Sequence, residues 1–276
     1  MSAISAAPGL QSGIRVAGSL IRASLQEKLV YRFDLLIGLL RTFILILVFR
    51  YLWLALYGGR ATFAGVSLEQ TITYATISMI ISPLYPNSLI LDVGARLRTG
   101  NILFDITRPL YYGNLLLFQT CGQFLATLVT SALPMFVLAL FFVDLSLPAS
   151  PLVWLAFGVS LLLGFLIAFL VDYLTSLAGF WLTETWGIFF AKWSITDVLS
   201  GKYLPLWIFP ALVRELALAL PFRGMSYSPL AIFIGQVTPE KIPLELGLQV
   251  LWIIALAVFG RLLYGAAVKK LAVQGG

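Results

Sequence analysis

The chain has 276 residues, of which 60% are hydrophobic and only 11% charged, with a mean hydropathy of +0.97. Ordinary soluble domains carry about 25% charged residues, so this composition cannot coat a water-facing surface and marks an integral membrane protein, which the apolar spans placed below make an all-α one. The absence of histidine and the single cysteine, Cys121, exclude disulfide scaffolds, haem, Cys/His zinc sites and any triad that needs an imidazole base. No catalytic residue and no metal ligand set is expected. The 18 basic against 12 acidic residues, a net charge of +6, would suggest nucleic acid in a soluble chain, but in a membrane chain they mark cytoplasmic loops; no nucleic-acid partner is expected.

Residues 1–34 lack the short apolar core and small-residue cleavage site of a signal peptide. Ile14, Ala17, Ile21 and Leu25 instead recur at helical spacing, with Arg15, Arg22 and Gln26 on another face. That pattern predicts a basic amphipathic helix lying along the inner membrane surface, the alternative being a frayed polar tail. Six segments then carry the roughly 20 apolar residues that a membrane crossing requires: 35–57, 70–92, 113–142, 152–173, 176–199 and 244–266. The third is overlong and contains Pro134, which predicts a kink or tilt. The continuous apolar stretch 152–199 reads as a hairpin turning near Asp172 to Ser176.

Six crossings place both termini on one side, and the basic residues choose it. Ten of them (Arg15, Arg22, Lys28, Arg32, Arg96, Arg98, Arg108, Arg261, Lys269 and Lys270) lie on the side of the termini. Five (Arg60, Lys202, Arg214, Arg223 and Lys241) lie opposite. The positive-inside rule makes the termini cytoplasmic.

The inner loop, 93–112, combines Arg96, Arg98 and Arg108 with the apolar Ile102, Leu103, Phe104 and Ile106. Such a short amphipathic element suits docking into a groove on a cytosolic partner, the bland alternative being an anchor on lipid. Segment 200–243 is apolar but repeatedly interrupted, by Gly201, Pro205, Pro210, Pro221, Pro229 and Pro239. It predicts broken helices, 211–220 among them, that re-enter the outer leaflet while their freed backbone groups are buried against protein or water. Gly201-Lys202 resembles the end of a phosphate-binding loop. Thr196 stands where the first glycine is required and Tyr203 replaces the Ser/Thr, so no ATP site is expected in this chain. Charges within or near spans, namely Arg41, Arg50, Asp172, Glu184, Lys192 and Asp197, are costly in lipid and expected to face a bundle interior or to snorkel. Glu184, between Phe180-Trp181 and Trp186, reads as the best internal polar site, with an ion pair securing helix packing as the alternative. Trp53, Tyr57, Tyr111 and Tyr112 fall at span ends, where an aromatic belt is ordinary.

The layout resembles an ABC-2 type transporter permease of the drug and natural-product export branch. The resemblance rests on Tyr31-Arg-Phe33, Leu52-Trp53, the series Gly100, Asp105, Arg108-Pro109-Leu110, Phe180-Trp181, and the Ser-Gly, Pro-Leu, Phe-Pro and Leu-Pro-Phe steps of 200–222, in this order over nearly the whole chain. It implies a domain of six transmembrane helices spanning 35–276 that pairs with a second permease, identical or homologous, and with two ATPase subunits. ATP and Mg would be bound by those ATPases and no cofactor by this chain. The ATPase-coupling residues would be Arg15, Arg22, Arg96, Arg98, Ile102, Phe104, Asp105 and Arg108, and Phe180, Trp181 and Glu184 would line the pathway. It further implies export of an amphipathic drug, natural product or lipid-like molecule across a bacterial plasma membrane. An ion-coupled secondary transporter using Asp172 and Glu184, or a membrane-embedded lipid-modifying enzyme, remain the alternatives from the residues alone.

Overall fold

The computed structural model describes Gly18 and residues 32–106, 111–182 and 184–274. The leading amphipathic segment, with Arg15 and Arg22, and the loop residue Arg108 lie outside the described residues. Helix α1 (Arg32–Tyr57) has no internal proline and stops at Gly58 and Gly59, both at positive φ. At 1.5 Å per residue its 26 residues extend about 39 Å, enough to cross a hydrocarbon core of roughly 30 Å. A two-residue hairpin follows, β1 (Thr62–Phe63) against β2 (Val66–Ser67), turned by Ala64 and Gly65 at positive φ. Ser67 then opens α2 (Leu68–Ile81) with a capping box, its hydroxyl accepting from the Gln70 N–H while the Gln70 side chain accepts from the Ser67 N–H.

The expected second span, 70–92, is not one helix. Helix α2 ends in a 3-10 turn, Ser82–Leu84, and a new helix, α3 (Leu89–Arg98), begins after Pro86. Pro83 and Pro86 have no N–H to give, and Pro86 holds Tyr85 in the extended conformation that a residue before proline prefers. The inner loop is largely helical: α3 carries Arg96 and Arg98 in its last turn, and α4 (Ile102–Ile106) follows Gly100 at positive φ.

Helix α5 (Tyr112–Thr127) and helix α6 (Leu133–Phe142) are joined by a π turn, Leu128–Ala132, rather than by a break. The widened turn lets the Leu133 N–H reach the Leu128 carbonyl immediately before Pro134, so the ladder continues past the ring. Helix α7 (Pro151–Leu177) runs through Asp172 and Ser176 into a 3-10 turn, Ala178–Phe180. The expected turn at 172–176 is therefore corrected: Asp172 is buried within the helix, and the chain reverses between Phe180 and Trp186 instead. Helix α8 (Trp186–Leu199) has 14 residues, about 21 Å, too short to cross alone. After segment 200–241, which holds α9 (Ala211–Ala219) and α10 (Tyr227–Phe233), comes α11 (Ile242–Gln274). Among the described residues, four stretches are thus long and apolar enough to cross a membrane, Phe33–Tyr57, Tyr112–Phe142, Pro151–Phe180 and Pro239–Lys270. The other two expected spans are shorter pieces.

Helix α7 is the axis, packed by α11, α10 and α3. One apolar cluster gathers Trp53, Tyr57, Tyr74, Phe124, Met135, Phe165 and Phe233. A second, toward the other end, gathers Val93, Ile102, Tyr112, Phe169, Tyr173 and Leu177. In 200–241 the prolines divide the chain into a 3-10 turn at Leu206–Ile208, α9 (Ala211–Ala219), a 3-10 turn at Pro221–Gly224, and α10 (Tyr227–Phe233). Helix α9 buries Ala217 and exposes Leu212 and Leu216, whereas α10 is buried from Ser228 to Phe233. The 221–225 turn reaches the middle of α7: a Cβ on Gly164 would stand 2.8 Å from the Gly224 and Met225 carbonyl oxygens.

Candidate functional site

A cavity of about 660 Å³ opens between α1, the α2–α3 break, α5 and the start of segment 200–241. Its apolar wall includes Leu35, Leu39, Leu45, Met79, Ile80 and Met135. Its polar wall includes Thr120, Gln123, Thr127 and Ser131, at intervals of three and four along α5 and the π turn, which puts them on one helical face. Ser82, Asn87 and Ser88 from the break, with Thr42 of α1, add further hydrogen-bonding groups. Four charged side chains line it: Asp34 and Arg41 of α1, Asp92 of α3, and Lys202. The Lys202 ammonium is held by Asp197 at 3.1 and 3.2 Å and lies 4.6 Å from the Tyr203 ring. Volume and mixed lining suit a ligand with an apolar body and a hydrogen-bonding part.

Behind this cavity lies a buried ion pair. Lys192 of α8 donates to Asp172 of α7 at 2.7 Å and to the Asn87 carbonyl at 2.6 Å. The second Asp172 oxygen accepts the Leu89 N–H at 3.1 Å. The two side chains are 7% and 1% exposed. A smaller cavity of about 50 Å³ adjoins Lys192 and shares Ser82, Tyr85, Asn87, Trp193 and Lys202 with the large one.

Other charges and amides fasten the far half of the fold. Arg223 pairs with Glu245, which also accepts from Ser228 at 3.1 Å. Gln249 exchanges hydrogen bonds with Ser160 and donates to the Gly224 carbonyl at 2.7 Å. Arg50 bonds the Phe142 carbonyl and Asp144. No cluster of three His, Cys, Asp or Glu side chains suited to a metal occurs among the described residues.

The expected pathway residues do not gather. Phe180 is buried in the second apolar cluster, Trp181 is 44% exposed, and Glu184 is exposed at the 181–185 turn; none lines either cavity. The chain reverses later than the expected turn at 172–176, between Phe180 and Trp186, which places Glu184 at the reversal instead of within a span. Arg41, expected either to face a bundle interior or to snorkel, lines the cavity. In the inner loop Ile102 is 2% exposed and belongs to the core, so it is not a docking knob, while Leu103 and Phe104 are 58% and 72% exposed. Asp105 lies in α4. Of the segment-200 residues, Gly201, Pro205 and Pro221 are buried and Pro210 is exposed. The α5 stripe was missed, although its spacing of polar residues in an apolar helix is a readable signal.

Long apolar helices, broken shorter ones and an internal cavity of mixed polarity define a multi-pass membrane protein. The family model described as ABC-2 family transporter protein matches residues 40–275, and the chain belongs to that family. It is a membrane transport subunit, a permease of an ABC transporter, and membership of the family implies an ABC ATPase partner. No curated protein and no solved structure matches the chain.

Proposed function

We propose that this permease is half of an ATP-driven export pathway for an amphipathic compound across a bacterial plasma membrane. In this reading the membrane is crossed six times. Helices α1, α5–α6, α7 and α11 are full crossings. Helices α2 and α3 form a divided one, and α8 is completed by segment 200–241, which re-enters from the outer side. Broken backbone at membrane depth is tolerated where protein covers it, and the contacts of the 221–225 turn with mid-α7, and of Gly201 with Tyr74 at 2.7 Å, support that arrangement. Both termini and the α3–α4 region are cytoplasmic, the side favoured by the basic residues.

The observation that carries the reading is the large cavity. Its apolar side would take a hydrocarbon or ring system, and the α5 stripe would exchange hydrogen bonds with the polar part. A second permease, identical or homologous, would supply the other half. Two ATPase subunits holding ATP and Mg would press on α4 and the leading segment, tilting helices as rigid bodies between two arrangements.

The test needs no knowledge of the substrate. A cysteine replacing Thr127, in a Cys121→Ser background, is probed in vesicles containing the permease with its ATPase. An impermeant thiol reagent should reach it from the cytoplasmic side without nucleotide, and from the outer side after trapping with ATP and vanadate. Access unchanged by nucleotide would remove the cavity from the pathway.

A further inference from the structure

We infer that Asp172 and Lys192 form a positioning pair for transport, fastening the α2–α3 break to α8 so that movement of α3 is delivered to the wall of the large cavity. This rests on the reading of the chain as a permease driven through its cytoplasmic helices. The pair does more than neutralise two charges. Pro86 interrupts the helix, and the groups around the interruption, the Asn87 carbonyl and the first N–H of α3 at Leu89, have no helical partner of their own there. Lys192 satisfies the first at 2.6 Å and Asp172 the second at 3.1 Å. Three elements meet on one ion pair: α7 through Asp172, α8 through Lys192, and the break through its own backbone.

Stability alone explains such a pair poorly, because a buried ion pair is often replaceable by apolar residues without loss. Its surroundings offer a second use. The small cavity beside Lys192 is of mixed polarity, with several hydroxyls and a carboxylate in its wall, and has room for water. It is lined by Asp197, Ser200, Ser226 and Thr196, and the Thr196 hydroxyl is buried without a hydrogen-bond partner. A Lys192 ammonium released from Asp172 would meet a hydratable space and a second carboxylate rather than hydrocarbon. In this inference the pair has a second arrangement open to it, beside the Asp197 carboxylate that Lys202 already holds, and an element with two arrangements can transmit motion. Asn87 and Trp193 line both cavities, so a shift of the break or of α8 changes the wall of the larger one. At its far end α3 leads through Thr99 and Gly100 directly into α4.

The experiment uses the assembled permease and ATPase in vesicles, with Asn87 replaced by cysteine in the Cys121→Ser background. The labelling rate is compared without nucleotide and after trapping with ATP and vanadate. With the pair intact the two rates should differ by about 10-fold. With Asp172→Leu and Lys192→Met together the difference should fall below about 2-fold at equal amounts of assembled complex. Asp172→Asn keeps an acceptor for Leu89 but loses the charge, so it serves if the double variant does not assemble; its difference should fall at least about 3-fold from the parent. A full difference retained in either variant overturns the inference and leaves the pair a packing element. Absence of any nucleotide effect in the parent, if the Thr127 cysteine also shows none, instead refutes the reading on which it rests. If the Thr127 cysteine responds and the Asn87 cysteine does not, the inference alone fails.

Discussion

Gly201 shows how much one residue decides where the chain turns back. Its φ is +74°, and a Cβ there would lie 2.9 Å from the Tyr74 hydroxyl and 3.2 Å from Leu206 Cγ. The Tyr74 hydroxyl meanwhile donates to the Gly201 carbonyl at 2.7 Å. Gly201→Ala combines backbone strain with a clash and should cost more than about 1 kcal/mol, read as a lower unfolding temperature in detergent. Gln249→Leu should cost roughly 1 kcal/mol by orphaning the Gly224 carbonyl, with the same readout. The breaking role of Gly201 was legible from its Ser-Gly step. The pairing of Asp172 with Lys192 was not, because residues 20 apart meet only once the chain is known to reverse at 181–185. A lone aspartate in an apolar run reads as a turn exposed to water, whereas here a lysine and a backbone N–H replace that water.

At the scale of elements, hydropathy located every apolar stretch but could not give helix lengths. Segment 70–92 is apolar because α2 is buried from Thr71 to Ile81 inside protein, and burial in protein and burial in lipid demand the same side chains. Pro83 and Pro86 were visible, yet only the extended Tyr85 reveals that they end the helix. Pro134 was visible too, and there the π turn absorbs it. Helix α4 divides its apolar residues between inside and outside, giving a contrasting pair of outcomes. Ile102→Ala opens a cavity in the core, at about 2–4 kcal/mol, and should reduce the amount of permease in the membrane. Phe104→Ala with Arg108→Glu should leave that amount unchanged and weaken copurification of the ATPase. Equal loss of permease in both variants would remove α4 as the docking element.

For the whole molecule, composition and charge supplied the class of protein, and the order of its weak motifs supplied the family. The cavity was not legible in advance, since its walls depend on the α2–α3 break and on the α5 stripe, whereas the residues expected to line a pathway, Phe180, Trp181 and Glu184, lie elsewhere. Topology has its own check. A cysteine at Thr62, exposed in β1, should react with an impermeant reagent from outside, and one at the exposed Thr99 only after permeabilisation; Ser226, at 4% exposure, should resist from either side. The central claim, a permease powered by a separate ATPase, is tested most directly by purifying the tagged chain from its native membrane in mild detergent and reconstituting it. An ABC ATPase should copurify in a fixed ratio, and the reconstituted complex should hydrolyse ATP, if this claim holds. A chain that purifies alone, and moves solute in liposomes under a proton or sodium gradient without ATP, would contradict it.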